Sequence, residues 1–260
     1  MPSIDIYCIN LISRKDRKDR VSAMFKKLGI MDSVQWLHVE KSPEGGRVGC
    51  FESHVKCLSA STADIVIVFE DDAVIGQGVS WDSLKNIILN KLKIYNFFSI
   101  GCIIYPLQIG YDRMKLKVKS DVSCITTTCY AITQKCIKRT LPLLKKIIKN
   151  KTLRNCTIMH IDACLNCIIP NKDKVGFIRP VIIQYDMLDT DNSWFSNSQT
   201  NSIWMKKVPS FMETSSRYMV NKIFKNMPIS KYEVYISNIS HNIHMFLVRK
   251  MLRTYSALRK

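Results

Sequence analysis

Three observations predict an α/β protein with a mainly parallel sheet covered by helices on both faces. Short apolar runs rich in β-branched residues alternate with amphipathic stretches of helical period, as happens when parallel strands are joined by helical crossovers. One run, Ile65 to Phe69, has no polar residue at alternate positions, which fits a strand buried on both faces. It ends abruptly in Glu70, Asp71 and Asp72, a charged cluster at the carboxyl end of a strand. Ligands of open α/β sheets bind at such strand ends.

Taken in order, the first strand is predicted over 4–11, I-D-I-Y-C-I-N-L. A helix follows: Ser13 suits an N-cap, Val21, Met24, Phe25 and Leu28 recur at helical spacing, and Gly29 stops it. Its first turns carry Arg14, Lys15, Arg17, Lys18 and Arg20. Cations there face the positive end of the helix dipole. The run is therefore either a solvated basic face or the wall of an anion site, a diphosphate for example, adding side-chain charge to the backbone N–H groups. A second strand covers 34–39, and residues 42–49, with a proline and three glycines, read as a loop. A helix over 48–60 sets Val48, Phe51, Val55 and Leu58 on one stripe. Beyond the central strand, apolar residues at 81, 84, 87, 88, 92 and 95 mark another helix. Then come a strand at 97–104, a basic excursion at 105–121, a strand at 124–132 and a helix at 134–149. A short helix at 162–169, a strand at 175–184 and a Ser/Asn/Asp-rich loop at 186–202 complete the domain.

The character changes near residue 205, dividing the chain into an α/β domain, 1–204, and a basic, mostly helical C-terminal extension, 205–260. At its end Val248, Met251, Leu252, Tyr255 and Leu258 form one face, flanked by Arg249, Lys250, Arg253, Arg259 and Lys260. Such a helix either lies on an anionic membrane surface or docks its stripe on the domain.

The 260 residues allow one large domain with an appendage, and an apolar content of 47% supports a real core. A net charge of +18 and a pI near 9.5 call for an anionic partner: nucleic acid, a membrane surface or a phosphorylated substrate. Nucleic acid is disfavoured. Zinc-finger, homeodomain and RNP signatures are absent from the sequence, and the basic residues are spread along it. The first residues lack a basic leader and read directly as a strand, and no apolar run is long enough to span a bilayer. The expected location is cytoplasmic, with the basic tail as a peripheral membrane contact.

The ten cysteines are then expected to be reduced, with Cys8, Cys57, Cys102, Cys129 and Cys136 in core patterns. Cys156, His160, Cys164 and Cys167 form a tempting cluster. On one helix its ends would lie about 16 Å apart, too far to share a metal, whereas a break in the chain near His160 would leave a site open.

Three successive carboxylates repel one another, and burial makes that worse unless a cation sits among them. A hard divalent cation with oxygen ligands suits the cluster and commonly bridges to phosphates. The alternative is an acidic turn that happens to end a strand.

I-N-L-I-S-R-K-D-R-K-D-R (9–20), G-R-V-G-C-F-E-S-H (46–54) and V-F-E-D-D-A (68–73) together resemble glycosyltransferase family 25. That family includes bacterial lipooligosaccharide galactosyltransferases and procollagen hydroxylysine galactosyltransferases. Y-A-I-T-Q-K-C-I-K-R-T-L (130–141) is similar to the family's Y-x-I-S-x-x-G-A-x-x-L, and His160-Ile161-Asp162 to its V-D-x-x-L element. The resemblance spans roughly residues 4–200 in order and spacing.

It implies a GT-A type, Rossmann-like fold that binds a nucleotide sugar. An acidic motif, a variant of DxD, would hold Mn2+ or Mg2+ against the donor diphosphate. On the matched positions Glu70 and Asp72 are the outer pair and implied metal ligands, with Asp71 between them. Asn10, Arg14 and Arg17 match N-L-x-x-R-x-x-R, and Gly49, Cys50, Ser53 and His54 match G-C-x-x-S-H. The implied donor-binding set is Asn10, Arg14, Arg17, Ser53, His54, Glu70 and Asp71. Asp162 matches the aspartate before the acceptor-side helix. It reads equally as general base or as helix N-cap, and His54 as ligand or as packed helix histidine.

Arg47, Glu52 and Cys136 depart from the family pattern, which bears on substrate choice and leaves the acidic cluster intact. The implied reaction moves a sugar, galactose from a UDP-sugar, to a hydroxyl of a glycan, lipooligosaccharide or glycoprotein, with inversion. Its rivals are a nucleic-acid-binding basic protein and a non-catalytic family member acting as a binding module. The retained E-D-D stands against the second.

Overall fold

A computed structural model describes residues 2–75, 79–102, 118–120, 127–151, 160–177 and 182–184. The strands are β1 (Ile4–Leu11), β2 (Val34–Val39), β3 (Ile65–Glu70), β4 (Ala73–Ile75), β5 (Phe97–Ser99), β6 (Gly101–Cys102), β7 (Val118–Ser120), β8 (Cys129–Thr133), β9 (Lys174–Phe177) and β10 (Ile182–Gln184). The helices are α1 (Lys15–Leu28), α2 (Gly46–Ala60), α3 (Trp81–Leu92), α4 (Gln134–Lys149) and α5 (Ile161–Ile168). Seven strands form one sheet in the order β2-β1-β3-β8-β5-β9-β7, and β4, β10 and β6 form a small second sheet.

The pairs β1–β2, β1–β3 and β5–β9 are parallel. β8 runs against both its neighbours, and β7 against β9. Strands β2, β1, β3, β5 and β9 therefore share one direction, and the class is the expected mainly parallel α/β sheet. The reversal of β8 was not expected.

The side-chain alternation of β3 builds both cores. Val66 and Val68 pack with Phe51, Val55 and Leu58 of α2 and with Ile137 and Leu144 of α4. Ile65, Ile67 and Phe69 pack with Val21, Met24 and Phe25 of α1 and with Leu84 and Ile88 of α3. Phe25 meets Phe69 edge to face at 5.1 Å. β3 is buried from both sides because each face carries its own helices, as a run without polar alternation requires.

Several boundaries differ from expectation. The N-cap of α1 is Arg14, with no side-chain cap bond, so Ser13 does not cap it. Gly29 closes the helix in the left-handed region at φ 71°, which glycine adopts without strain. α2 begins at Gly46, inside the stretch expected as loop, and α3 ends at Leu92 instead of Tyr95.

The single strand expected at 97–104 is two. β5 pairs in the large sheet and β6 in the small one. At Gly101 a Cβ would lie 2.8 Å from the backbone nitrogen of Cys129, so the crossing between sheets needs glycine. The strand expected at 175–184 is likewise split into β9 and β10. β7 falls within the expected excursion at 105–121.

Cys8, Cys57, Cys129 and Cys136 are buried, and these four with Cys50, Cys164 and Cys167 form no disulfide. Among the described residues no helix is long and apolar enough to cross a membrane. The loop at 186–202, the extension at 205–260 and Cys156 lie outside the described residues.

Candidate functional site

Register brings the acidic cluster beside the first strand. Ile9 lies opposite Glu70 across the parallel β1–β3 pair, so Asn10 and Asp71 emerge next to each other at the strand ends. Glu70 keeps step with Val66 and Val68 and meets α2. Asp71 keeps step with Ile67 and Phe69 and meets α1. The three carboxylates are thereby split between two networks, one on each face of the sheet.

On the α1 face, Asn10 Nδ2 donates to Asp71 Oδ2 at 2.8 Å and to the Arg14 carbonyl at 3.3 Å. The Leu11 backbone N–H donates to the same Asp71 oxygen at 3.2 Å. Arg17 Nη1 reaches in from the first turn of α1, donating to Asp71 Oδ1 at 3.3 Å and lying 3.7 Å from Asp72 Oδ2. Asn10, Arg17, Asp71 and Asp72 are all buried. The cation that the cluster needs is in part a guanidinium of the chain itself. Burial pushes the Asp71 carboxyl above its ordinary value, outweighing the opposing pull of Asn10, Arg17 and the Leu11 N–H.

On the α2 face, His54 Nε2 lies 3.0 Å from Glu70 Oε1, and its Nδ1 lies 3.1 Å from the Tyr130 hydroxyl. Thr127 Oγ1 donates to Glu70 Oε1 at 2.6 Å. His54 and Tyr130 are fully buried, whereas the Glu70 side chain keeps 21% of its surface. Burial alone would raise Glu70. The hydrogen bond and charge of His54, the Thr127 hydroxyl and the Arg17 charge outweigh it and hold Glu70 below its ordinary value. Cys50, one helical turn before His54, completes this group. Its Sγ, a His54 ring nitrogen and a Glu70 oxygen all lie within 4.8 Å of one another.

Asp162 sits in the first turn of α5, where His160 is the N-cap residue and makes no side-chain cap bond. Asp162 is thus two positions inside the cap and not the cap itself. Its Oδ1 accepts from the Ala163 N–H at 2.7 Å, which serves the helix N-terminus in a different way. Burial pushes its carboxyl up to about 7, the Ala163 N–H opposes that, and the Glu70 charge adds to it.

The remaining expected residues stand apart. Ser53 is buried, and its hydroxyl donates to the Gly49 carbonyl at 2.6 Å within α2. Arg14 forks onto Asp16, Nε to Oδ1 at 3.0 Å and Nη2 to Oδ2 at 2.9 Å, and holds Asp16 well below the usual carboxylate range. The structure thus unites Asn10, Arg17, Asp71 and Asp72 in one network and Glu70 with His54 in another. Tyr130 and Thr127 were not expected. Tyr130 lies within the 130–141 match, but an aromatic in an apolar strand gives no sign that its hydroxyl is used. Thr127 carries no signal in the sequence.

No family model matches this chain, and no curated protein matches it. The family resemblance therefore rests on the short motifs alone. Solved structures similar to it include a glycosyltransferase involved in the glycosylation of the major capsid of PBCV-1, with a TM-score of 0.36 and 9% identity, covering 59% of this chain and 68% of that one. A197 from STIV has a TM-score of 0.35 and 7% identity, covering 53% and 68%. A Bacillus anthracis protein assigned as a glucose-1-phosphate thymidylyltransferase, solved with sucrose, has a TM-score of 0.32 and 10% identity, covering 59% and 79%. At such scores these neighbours do not define the activity of this chain, which has to be read from its own residues.

Proposed function

We propose that the chain is a divalent-metal-dependent glycosyltransferase that uses a nucleotide-sugar donor. The observation that carries this reading is the gathering of Glu70, Asp71 and Asp72 at the carboxyl end of the central strand, beside Asn10 and Arg17, with Asp162 close enough to feel the Glu70 charge. The motif resemblance to family 25 sharpens it to a UDP-sugar, galactose by preference, and to a glycan, lipooligosaccharide or glycoprotein hydroxyl as acceptor. The catalytic domain in this reading is residues 1–204, with 205–260 as its basic extension.

The donor set suits a hard cation. Asp72 and Glu70 offer carboxylate oxygens, as Mn2+ or Mg2+ prefers, while Asp71 is committed to Asn10, Leu11 and Arg17. One guanidinium against three carboxylates leaves negative charge over for a divalent ion. The chemistry such an ion supplies when bound is Lewis-acid stabilisation of the leaving diphosphate. Asn10 and Asp71 fix the turn from β1 into α1, and Arg17 and Arg14 bring positive charge to the side where the diphosphate would lie.

Asp162 is the general base in this reading. A carboxyl held near 7 is half ionised at neutral pH and takes up a proton more readily than an ordinary aspartate. It accepts the proton of the acceptor hydroxyl as that oxygen bonds to the anomeric carbon. The bond from that carbon to the donor phosphate breaks with its electron pair leaving on the nucleotide, so the anomeric configuration inverts. Calorimetry with UDP, with and without Mn2+, tests the donor half of the proposal. Binding is expected with Mn2+ and is expected to weaken at least tenfold in EDTA. Equal heats in both conditions would remove the metal from the account.

A further inference from the structure

We infer that Cys50, His54 and Glu70 form a second metal site, selective for a borderline or soft ion of the Zn2+ type, which shares Glu70 with the hard-cation pair Asp72 and Glu70 but draws its other ligands from α2. Cys50 and His54 are four residues apart on α2, so they lie on one face of the helix, and that face meets the end of β3 at Glu70. Their donor atoms lie within 4.8 Å of one another. Tetrahedral zinc, with bonds of about 2.0–2.3 Å, needs its ligand atoms somewhat closer than that limit. His54 and Glu70 already stand at 3.0 Å.

Two further contacts resemble the outer shell of a metal site. The Tyr130 hydroxyl holds Nδ1 of the buried His54, which orients Nε2 towards Glu70, and the Thr127 hydroxyl holds Glu70. Partners of this kind fix the ring and carboxylate of metal ligands. Cys50 and Glu70 are only half-buried, which leaves a way in for an ion.

Thiolate and imidazole together select against Mg2+ and Mn2+, which prefer oxygen ligands. The α1-face residues Asp71 and Asp72 are not part of the set, because Arg17 and Asn10 engage them. On binding, the Cys50 thiol loses its proton to solvent and the sulfur bonds the metal as thiolate; no oxidant or reductant is involved. The site shares Glu70 with the hard-cation pair proposed above, so it is tested by metal binding and not by glycosyl transfer.

The test is Co2+ titration of the full-length, metal-stripped protein under reducing conditions. The near-ultraviolet thiolate-to-cobalt charge-transfer band and the visible bands of tetrahedral cobalt are followed together. We expect both to appear at about one equivalent, to be displaced by Zn2+ and to persist in a hundredfold excess of Mg2+. Cys50→Ser is expected to abolish the charge-transfer band and weaken Co2+ binding at least tenfold. The Cys164→Ser/Cys167→Ser variant is expected to keep both. If either variant fails to fold by circular dichroism, alkylation of Cys50 in native protein, identified by mass spectrometry, replaces it. Zn2+ should then slow labelling at least tenfold. A missing band, a band unchanged by Cys50→Ser, or unprotected labelling would overturn the inference.

Discussion

Replacing Arg17 with methionine tests how the acidic cluster is held. Arg17 is 6% exposed and joins Asp71 at 3.3 Å to Asp72 at 3.7 Å. Methionine fills much of the same volume but leaves two buried carboxylates without that guanidinium. Removing one partner of a buried ion pair costs about 3–5 kcal/mol. For a protein of this size that lowers Tm by about 6–20 °C, taking about 2–4 °C per kcal/mol. Burial already raises the folded-state pKa of Asp71 above its unfolded value, and loss of Arg17 raises it further. A group raised in this way favours the folded state below its unfolded pKa and loses that contribution as pH rises through the folded pKa. The deficit of the variant should therefore shrink as pH falls from 8 towards 5. Adding Asp71→Asn should recover part of it, because the amide oxygen still accepts from Asn10 and the Leu11 N–H. The assay is urea unfolding of wild type, both single variants and the double variant at both pH values. A loss below about 1 kcal/mol, or no coupling between the two substitutions, would refute the reasoning.

Asp162→Asn should lower turnover by about 100- to 10,000-fold, the usual range for a general base, while UDP binding by calorimetry is unchanged; a fall under tenfold would limit Asp162 to its helix-terminal role. The wild-type kcat/KM should rise with pH and level off above about 7, as the carboxyl ionises, and a flat profile across that range counts against the assignment. The same shift, from 3.8 to about 7, costs folded-state stability above about pH 4, so Asp162→Asn should be more stable than wild type at pH 8 and similar to it near pH 4. Asp72→Ala should abolish transfer and Mn2+-dependent UDP binding with the circular dichroism spectrum retained, and full activity would exclude Asp72 as a metal ligand. Gly101→Ala should destabilise by about 1–3 kcal/mol, as overpacking does, because its Cβ meets the Cys129 backbone nitrogen at 2.8 Å; a neutral result in thermal melts would mean that the crossing between sheets relaxes freely.

The central strand and its acidic end could be read from residues 65–72 because a doubly buried strand and a sudden run of carboxylates are both local patterns. The direction of β8 could not be read, since C-Y-A-I-T is equally apolar either way and only its partners decide. The break at Ile100 was hidden for a related reason: apolarity continues while the pairing partner changes. Between β9 and β10, by contrast, Arg179 and Pro180 marked the break in the sequence.

Arg17 was legible as a candidate anion ligand in the basic run, but its burial against Asp71 and Asp72 was not. Among five cations between residues 14 and 20, it is the one buried with Val21, Met24 and Phe25 in the structure, but spacing does not single it out, since Lys18 lies three and seven residues before Val21 and Phe25. A cation on an apolar stripe implies a buried anion opposite. Cys50 and His54 were likewise visible as an i, i+4 pair, but nothing local could say that Glu70 lies against them. The split of three adjacent carboxylates into two networks depends on strand alternation together with the placement of α1 and α2, which is tertiary information.

The most direct measurement is a donor screen. Nucleotide release from UDP-galactose, UDP-glucose, GDP-mannose and a deoxythymidine-diphosphate sugar is followed with purified protein, with Mn2+ and with EDTA. Mn2+-dependent hydrolysis of a UDP-sugar, lost in Asp72→Ala, is the expected result. Hydrolysis of none of the donors in Mn2+, or equal rates in wild type and Asp72→Ala, would contradict the assignment of the strand-end carboxylates to nucleotide-sugar chemistry.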